Sequence, residues 1–159
     1  SVGWDAALPR IATWALFFDK HVQKEFMVVN THFDHVGERA RVNSAGLLVQ
    51  FLRAREKRLP TIISGDFNFD ENSEGYEVLT TNESATLSDT KEISVLPPAG
   101  PGATFNGFSR PEGNSRIDHI YVTHHWKAYE HETLQVISDG VYVSDHWPVS
   151  TNIKIVPQI

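Results

Sequence analysis

Four short stretches of the chain carry side chains whose types and spacing could do chemistry. In Gly65-Asp66-Phe67-Asn68 the acid and the amide stand two apart, so in an extended segment both project to one face. A carboxylate and an amide there can bind a hard cation and hold a phosphate oxygen or a water beside it. The same residues would also suit a strand ending in an Asx turn. Ser144-Asp145-His146-Trp147-Pro148 places a possible metal ligand next to a proton-transfer group, and Pro148 stiffens the backbone beyond them. Read blandly, it is a structural loop. In Arg116-Ile117-Asp118-His119-Ile120-Tyr121-Val122 the charge of Asp118 shares a strand face with Ile120 and Val122. A carboxylate buried among apolar residues needs a partner. That partner is either a histidine, whose tautomer it would fix, or Arg116 in a purely structural pair. Asn30-Thr31-His32-Phe33-Asp34 ends an apolar run with Asn30 and His32 on one face, where packing needs neither.

His21, His35, His124, His125 and His131 belong to no such cluster, and Phe105 and Phe108 read as packing rather than as a substrate platform. Several elements must position the four stretches. Residues 11–18 are almost continuously apolar and predict a strand covered on both faces. A hairpin connection at 19–24 leads to a second strand over 26–33. Ala45, Leu48, Phe51 and Leu52 recur at helical spacing, predicting a helix over 37–58 that Pro60 ends. Short strands are predicted at 61–64, 116–123, near 134–137 and 148–155, with a helical turn over 73–81. Residues 97–107, with three prolines and three glycines, read as a loop. The fold class is mixed α/β with much antiparallel pairing.

At 159 residues the chain has room for one core, and 40% hydrophobic and 21% charged residues are ordinary for a globular protein. No apolar run approaches the ~18 residues of a membrane span. Without cysteine there are no disulfides or thiolate metal sites, and the compartment stays open. A net charge of -6 argues against a general phosphate-tracking surface. Any nucleic-acid substrate would be short or read locally, and a phosphorylated small molecule suits the charge better.

In their order, Asn30-Thr31-His32, Gly65-Asp66-Phe67-Asn68, Arg116-Ile117-Asp118-His119-Ile120 and Ser144-Asp145-His146-Trp147-Pro148 resemble the endonuclease/exonuclease/phosphatase family of metal-dependent phosphoesterases. The resemblance implies an α/β/β/α sandwich and a Mg²⁺ or Mn²⁺ cofactor. It implies Asp66, Asn68 and Asp145 at the metal, and His146 as general base or transition-state stabiliser, oriented by Asp118. His32 would contact the scissile phosphate from the other side, with Arg10 and Asn43 as weaker substrate-binding candidates. Nucleic acid, phospholipid head group and sugar phosphate all remain open as substrates.

The family's front half supplies a metal-binding Glu and an upstream Asn, whereas Glu25 is the sole Glu before His32. The expectation is therefore a single partial domain over 1–159, the family's C-terminal portion. Its apolar sheet face would be covered by a missing N-terminal segment or by a second copy of the chain, and the piece alone could be inactive. Two other readings stay in play. Asn30-Thr31-His32-Phe33-Asp34-His35 differs at one position from the His-x-His-x-Asp-His pattern of metallo-β-lactamase-like zinc hydrolases, and a non-catalytic domain could keep the fold alone.

Overall fold

A computed structural model describes residues 2–55, 57–81 and 87–156. Ala12–Asp19 (β1) and Lys24–His32 (β2) form an antiparallel hairpin, Glu38–Arg53 (α1) crosses over, and Thr61–Asp66 (β3) returns parallel to β2. Glu74–Thr80 (α2), Leu87–Asp89 (β4) and the single turn Thr90–Ile93 (α3) precede Asp118–Thr123 (β5). The main sheet runs β1-β2-β3-β5-β4 and is antiparallel except at β2–β3. Trp126–Thr133 (β6) pairs with Val149–Ile155 (β9), and Ile137–Ser138 (β7) forms a small ribbon with Val141–Tyr142 (β8). No helix among the described residues is long and apolar enough to cross a membrane.

The core lies between α1, α2 and one face of the main sheet. Ala45, Leu48 and Val49 of α1 meet Met27, Val29, Ile63 and Tyr121. Phe33, Phe67 and Phe69 fill its end, with ring centroids 5.0 to 6.0 Å apart. Each motif therefore alternates: Phe33 and Phe67 go into the core, and their neighbours His32 and Asp66 go to the opposite face.

Three sequence expectations change. The strand over 11–18 is the sheet edge, and every residue from Ala12 to Phe18 is exposed rather than covered on both faces. Its partner is β2, and among the described residues no strand pairs with its other side. The helix stops at Arg53 instead of 58, capped by Ala54, and the Arg55 guanidinium just beyond it lies over Trp14, 4.2 Å from the ring centroid. The strands β4 and β8 are additions, and so is β6. Its buried residues Ala128, His131 and Thr133 straddle a register shift between Ala128 and Glu130, which breaks the alternation a strand would show in sequence.

Candidate active site

Strand register builds the centre of the site. His32 pairs with Asp66 across β2 and β3, and Asp66 pairs with Asp118 across β3 and β5, so one rung of the sheet carries all three. Directly opposed residues on one face stand close enough to interact. His32 Nε2 lies 3.2 Å from Asp66 Oδ2. Such close pairing needs Gly65, since a Cβ there would fall 1.9 Å from the Thr31 carbonyl oxygen.

The loop before β9 completes the rung. His146 Nδ1 lies 2.7 Å from Asp118 Oδ2, and its Nε2 faces Asp66 Oδ2 at 3.9 Å. Asp118 is therefore partnered by a histidine, whereas Arg116 turns inward to Asp89 at 2.5 Å. The hydrogen bond to Asp118 raises the His146 pKa above its ordinary value, against the opposing effect of burial. Asp66 is also raised, by burial first and then by the charge of Asp118, while the Asn68 amide and the two histidines pull the other way. Two carboxylates held this close favour a shared proton or a cation between them. Asp66, Asp118 and His146 present ligand atoms within 4.8 Å of one another, the one such group found among the described residues.

The remaining sequence candidates divide between the rung and its surroundings. Asn68 adopts a left-handed backbone (φ 52°), and its amide N–H donates to Asp66 Oδ1 at 2.8 Å. Its side-chain Nδ2 donates to the Phe33 carbonyl at 3.0 Å, tying the loop after β3 to the end of β2. Asp145 adjoins His146, and its charge adds to the rise in the His146 pKa. Arg10 lies 3.7 Å from Asp34 and 3.1 Å from His35 Nδ1. Asn43 is half-buried on α1. Asp34 accepts backbone N–H bonds from Ala7, Leu8, Val36 and Gly37. With its carboxylate committed in this way, led by the Gly37 amide that holds its pKa well below the usual range, it is unsuited to the zinc role of the His-x-His-x-Asp-His pattern.

Two residues of the proline- and glycine-rich loop hold the site together and carry no sequence signal. Buried Thr104 accepts from the N–H groups of Ile117 and Asp118 at 3.0 and 3.1 Å, while its carbonyl accepts from Trp147 N at 2.7 Å. Buried Asn106 donates from N to the Asp145 carbonyl at 2.8 Å and from Nδ2 to that of Ser144 at 3.1 Å. Asp118 and His146, far apart in sequence, are thus clamped to one loop.

The model of the endonuclease/exonuclease/phosphatase family matches residues 3–146, a span that takes in all four motifs up to His146. The chain belongs to this family. A solved endonuclease/exonuclease/phosphatase from Bacteroides vulgatus is 38% identical with a TM-score of 0.89, covering 98% of this chain and 59% of its own. The mannosyl-6-phosphatase of Bacteroides thetaiotaomicron is 34% identical with a TM-score of 0.85, covering 98% of this chain and 61% of its own. The chain thus spans about three-fifths of these family members' length. The catalytic domain of human Nocturnin, 21% identical with a TM-score of 0.70 over 92% of this chain and 53% of its own, shares the fold. No curated protein matches the chain.

Proposed function

We propose that this site hydrolyses phosphate esters with the help of a divalent metal ion, as the hydrolytic part of a longer enzyme. The observation that carries the reading is the 2.7 Å pairing of Asp118 with His146 Nδ1, which leaves Nε2 aimed at the Asp66 carboxylate. Asp118 fixes the ring so that Nε2 is the basic nitrogen. A water between Nε2 and Asp66 loses its proton to Nε2 as its oxygen bonds to phosphorus. The bond from phosphorus to the ester oxygen breaks, and that oxygen takes a proton from solvent. His32, paired with Asp66, contacts the phosphoryl group from the opposite side, and Asn68 orients it.

The donors present suit a hard cation. Asp66, within 4.8 Å of Asp118 and His146, would hold Mg²⁺ or Mn²⁺, and the family resemblance adds Asp145 and the Asn68 amide as further oxygen donors. Such an ion supplies Lewis-acid stabilisation of the phosphoryl oxygens. The Bacteroides thetaiotaomicron relative is a phosphatase by name, which supports the monoester class.

The test is phosphate release from p-nitrophenyl phosphate by the full-length protein over a Mg²⁺ and Mn²⁺ titration. Turnover should need either ion and vanish with chelator, and Asp66→Ala should lower kcat by ~10²-fold or more. Turnover that survives chelation, or an undiminished Asp66→Ala variant, would refute the reading.

A further inference from the structure

His35, which no motif claims, carries a fixed donor near the rung. Its Nδ1 lies 3.1 Å from Arg10 Nη2. A guanidinium only donates, so Nδ1 must accept and the ring proton stays on Nε2. Arg10 is held in turn by Asp34, whose carboxylate is 1% exposed and lies 3.7 Å from Nε. Among the described residues no protein group partners His35 Nε2. The exposed ring lines a cleft of about 600 Å³ that His146 and Asn68 also line. Asn68 ties the two regions together, since its Nδ2 donates at 3.0 Å to the carbonyl of Phe33, two residues before His35. Asp34 organises a second donor as well. Its carbonyl accepts from Arg41 Nη1 at 3.1 Å, and Arg41 lines the same cleft from the start of α1.

The position of the cleft decides what these donors meet. His146 is the base assigned to the attacking water, so the cleft opens on the attacked side of phosphorus, away from the leaving group. Groups there face phosphoryl oxygens, which only accept and over which the transition state spreads its charge. Glu38, Asp70 and Glu74 line the cleft too, and ionised carboxylates cannot donate to those oxygens. Asp70 is engaged in its own loop, accepting the Asn72 amide at 2.9 Å. The carboxylates disfavour a free anion resting in the cleft. His35 and Arg41 are thereby left to act on a phosphoryl group already anchored at the rung.

We propose that His35 contacts the substrate: its Nε2–H, together with Arg41, donates to the phosphoryl oxygens on the attacked side, and Arg10 is a positioning residue that acts through the His35 ring. The proposal rests on the phosphoesterase reading, and its test separates the two. Full-length wild type, His35→Ala, His35→Gln, Arg10→Met and the double variant of Arg10→Met with His35→Ala are compared on p-nitrophenyl phosphate with Mg²⁺ or Mn²⁺. Binding of inorganic phosphate is measured by calorimetry on wild type and His35→Ala under the same conditions. His35→Ala should lose ~10- to 100-fold in kcat/KM, the scale of one hydrogen bond to a charged group. Glutamine can bring an amide N–H near the place of Nε2, so His35→Gln should return to within ~3-fold of wild type. Arg10→Met should lower kcat/KM by itself and hardly further in the His35→Ala background, because the ring through which it acts is gone. Phosphate should bind at least ~5-fold more weakly to His35→Ala than to wild type. A His35→Ala loss that glutamine fails to recover, or an Arg10→Met loss undiminished in the double variant, would overturn the proposal. Absence of turnover in wild type would refute the phosphoesterase reading instead. The phosphate titrations would then still decide the role of His35, which falls if wild type binds no phosphate or both proteins bind it equally.

Discussion

Replacing Asp118 by Asn keeps the shape of the Asp118–His146 pair and removes its charge, which makes it the sharpest probe of the proposed mechanism. The pair spans 2.7 Å, the length of a charge-assisted hydrogen bond, about 1.5–3 kcal/mol. At about 1.4 kcal/mol per factor of ten, losing its support for the protonated ring should slow the chemical step by ~10- to 100-fold. The amide can also donate to Nδ1, which would move the ring proton to Nε2 and leave no base facing the water. That second effect takes the expected loss in kcat toward ~10³–10⁴-fold, with KM little changed. The pH profile supplies an independent sign. Asp118 raises the His146 pKa, and a base works only when neutral, so the wild-type rate should climb as pH rises through that raised value. In Asp118→Asn the climb should shift to lower pH while the plateau falls. The assay is phosphate release across pH 5–9, with the His146 ring followed by NMR titration. A kcat within ~3-fold of wild type and an unmoved acidic limb would refute the role assigned to Asp118.

Thr104→Val should lower kcat by ~10-fold or more and stability by about 1–3 kcal/mol, measured by turnover and urea unfolding, because two amides at the start of β5 lose their acceptor. Restored kcat in Thr104→Ser would show that the hydroxyl acts through position. Asp89→Ala should destabilise by about 3 kcal/mol in the same unfolding experiment, since it leaves Arg116, 4% exposed, with only the long 3.9 Å contact to the exposed Glu71. Stability should also fall in two stages on acidification, followed by denaturant titration at each pH. His131 is lowered by burial from 6.5 to about 4, so its neutral form is favoured in the fold, and its contribution is full above pH 6.5 and lost from there toward pH 4, about 1–2 kcal/mol after allowing for solvent. Burial pushes Asp89 up, but the His119 hydrogen bond and the Arg116 charge outweigh it and hold it below its unfolded value. Its contribution is therefore present above about pH 4 and lost below.

The reach of the sequence is uneven for physical reasons. Asp66, His32 and His146 stood out as candidates because a charge or an imidazole at the end of an apolar strand has no packing reason to be there. Their common rung was not legible, because the sheet order β2-β3-β5 is a tertiary fact with α1, α2 and β4 lying between the strands in sequence. Arg10 stands in the sequence as a weaker phosphate-contact candidate, and its pairing with Asp34 was not legible because a lone guanidinium near a motif carries no mark of its partner. Residues 11–18 read as covered because apolar runs look alike at the centre and edge of a sheet. Thr104 and Asn106 are silent in sequence because their value lies in which backbone groups a loop brings to them.

Adjacent residues on β5 show why the site is rigid. Asp118 faces the rung, and the next residue, His119, faces the opposite side of the sheet, fully buried. There its Nδ1 lies 3.2 Å from Asp89 and its Nε2 lies 2.9 Å from the Phe69 carbonyl. Phe69 belongs to the loop after Asp66 that carries Asn68, so one buried imidazole ties β4, β5 and that loop together. Period-two alternation lets a strand place a wet, reactive carboxylate and its dry anchor at consecutive positions. The anchor matters because Asp66 and Asp118, like-charged neighbours, would otherwise relax apart. Backbone held from the far face keeps them converged without occupying the space that a cation and a phosphoryl group would need.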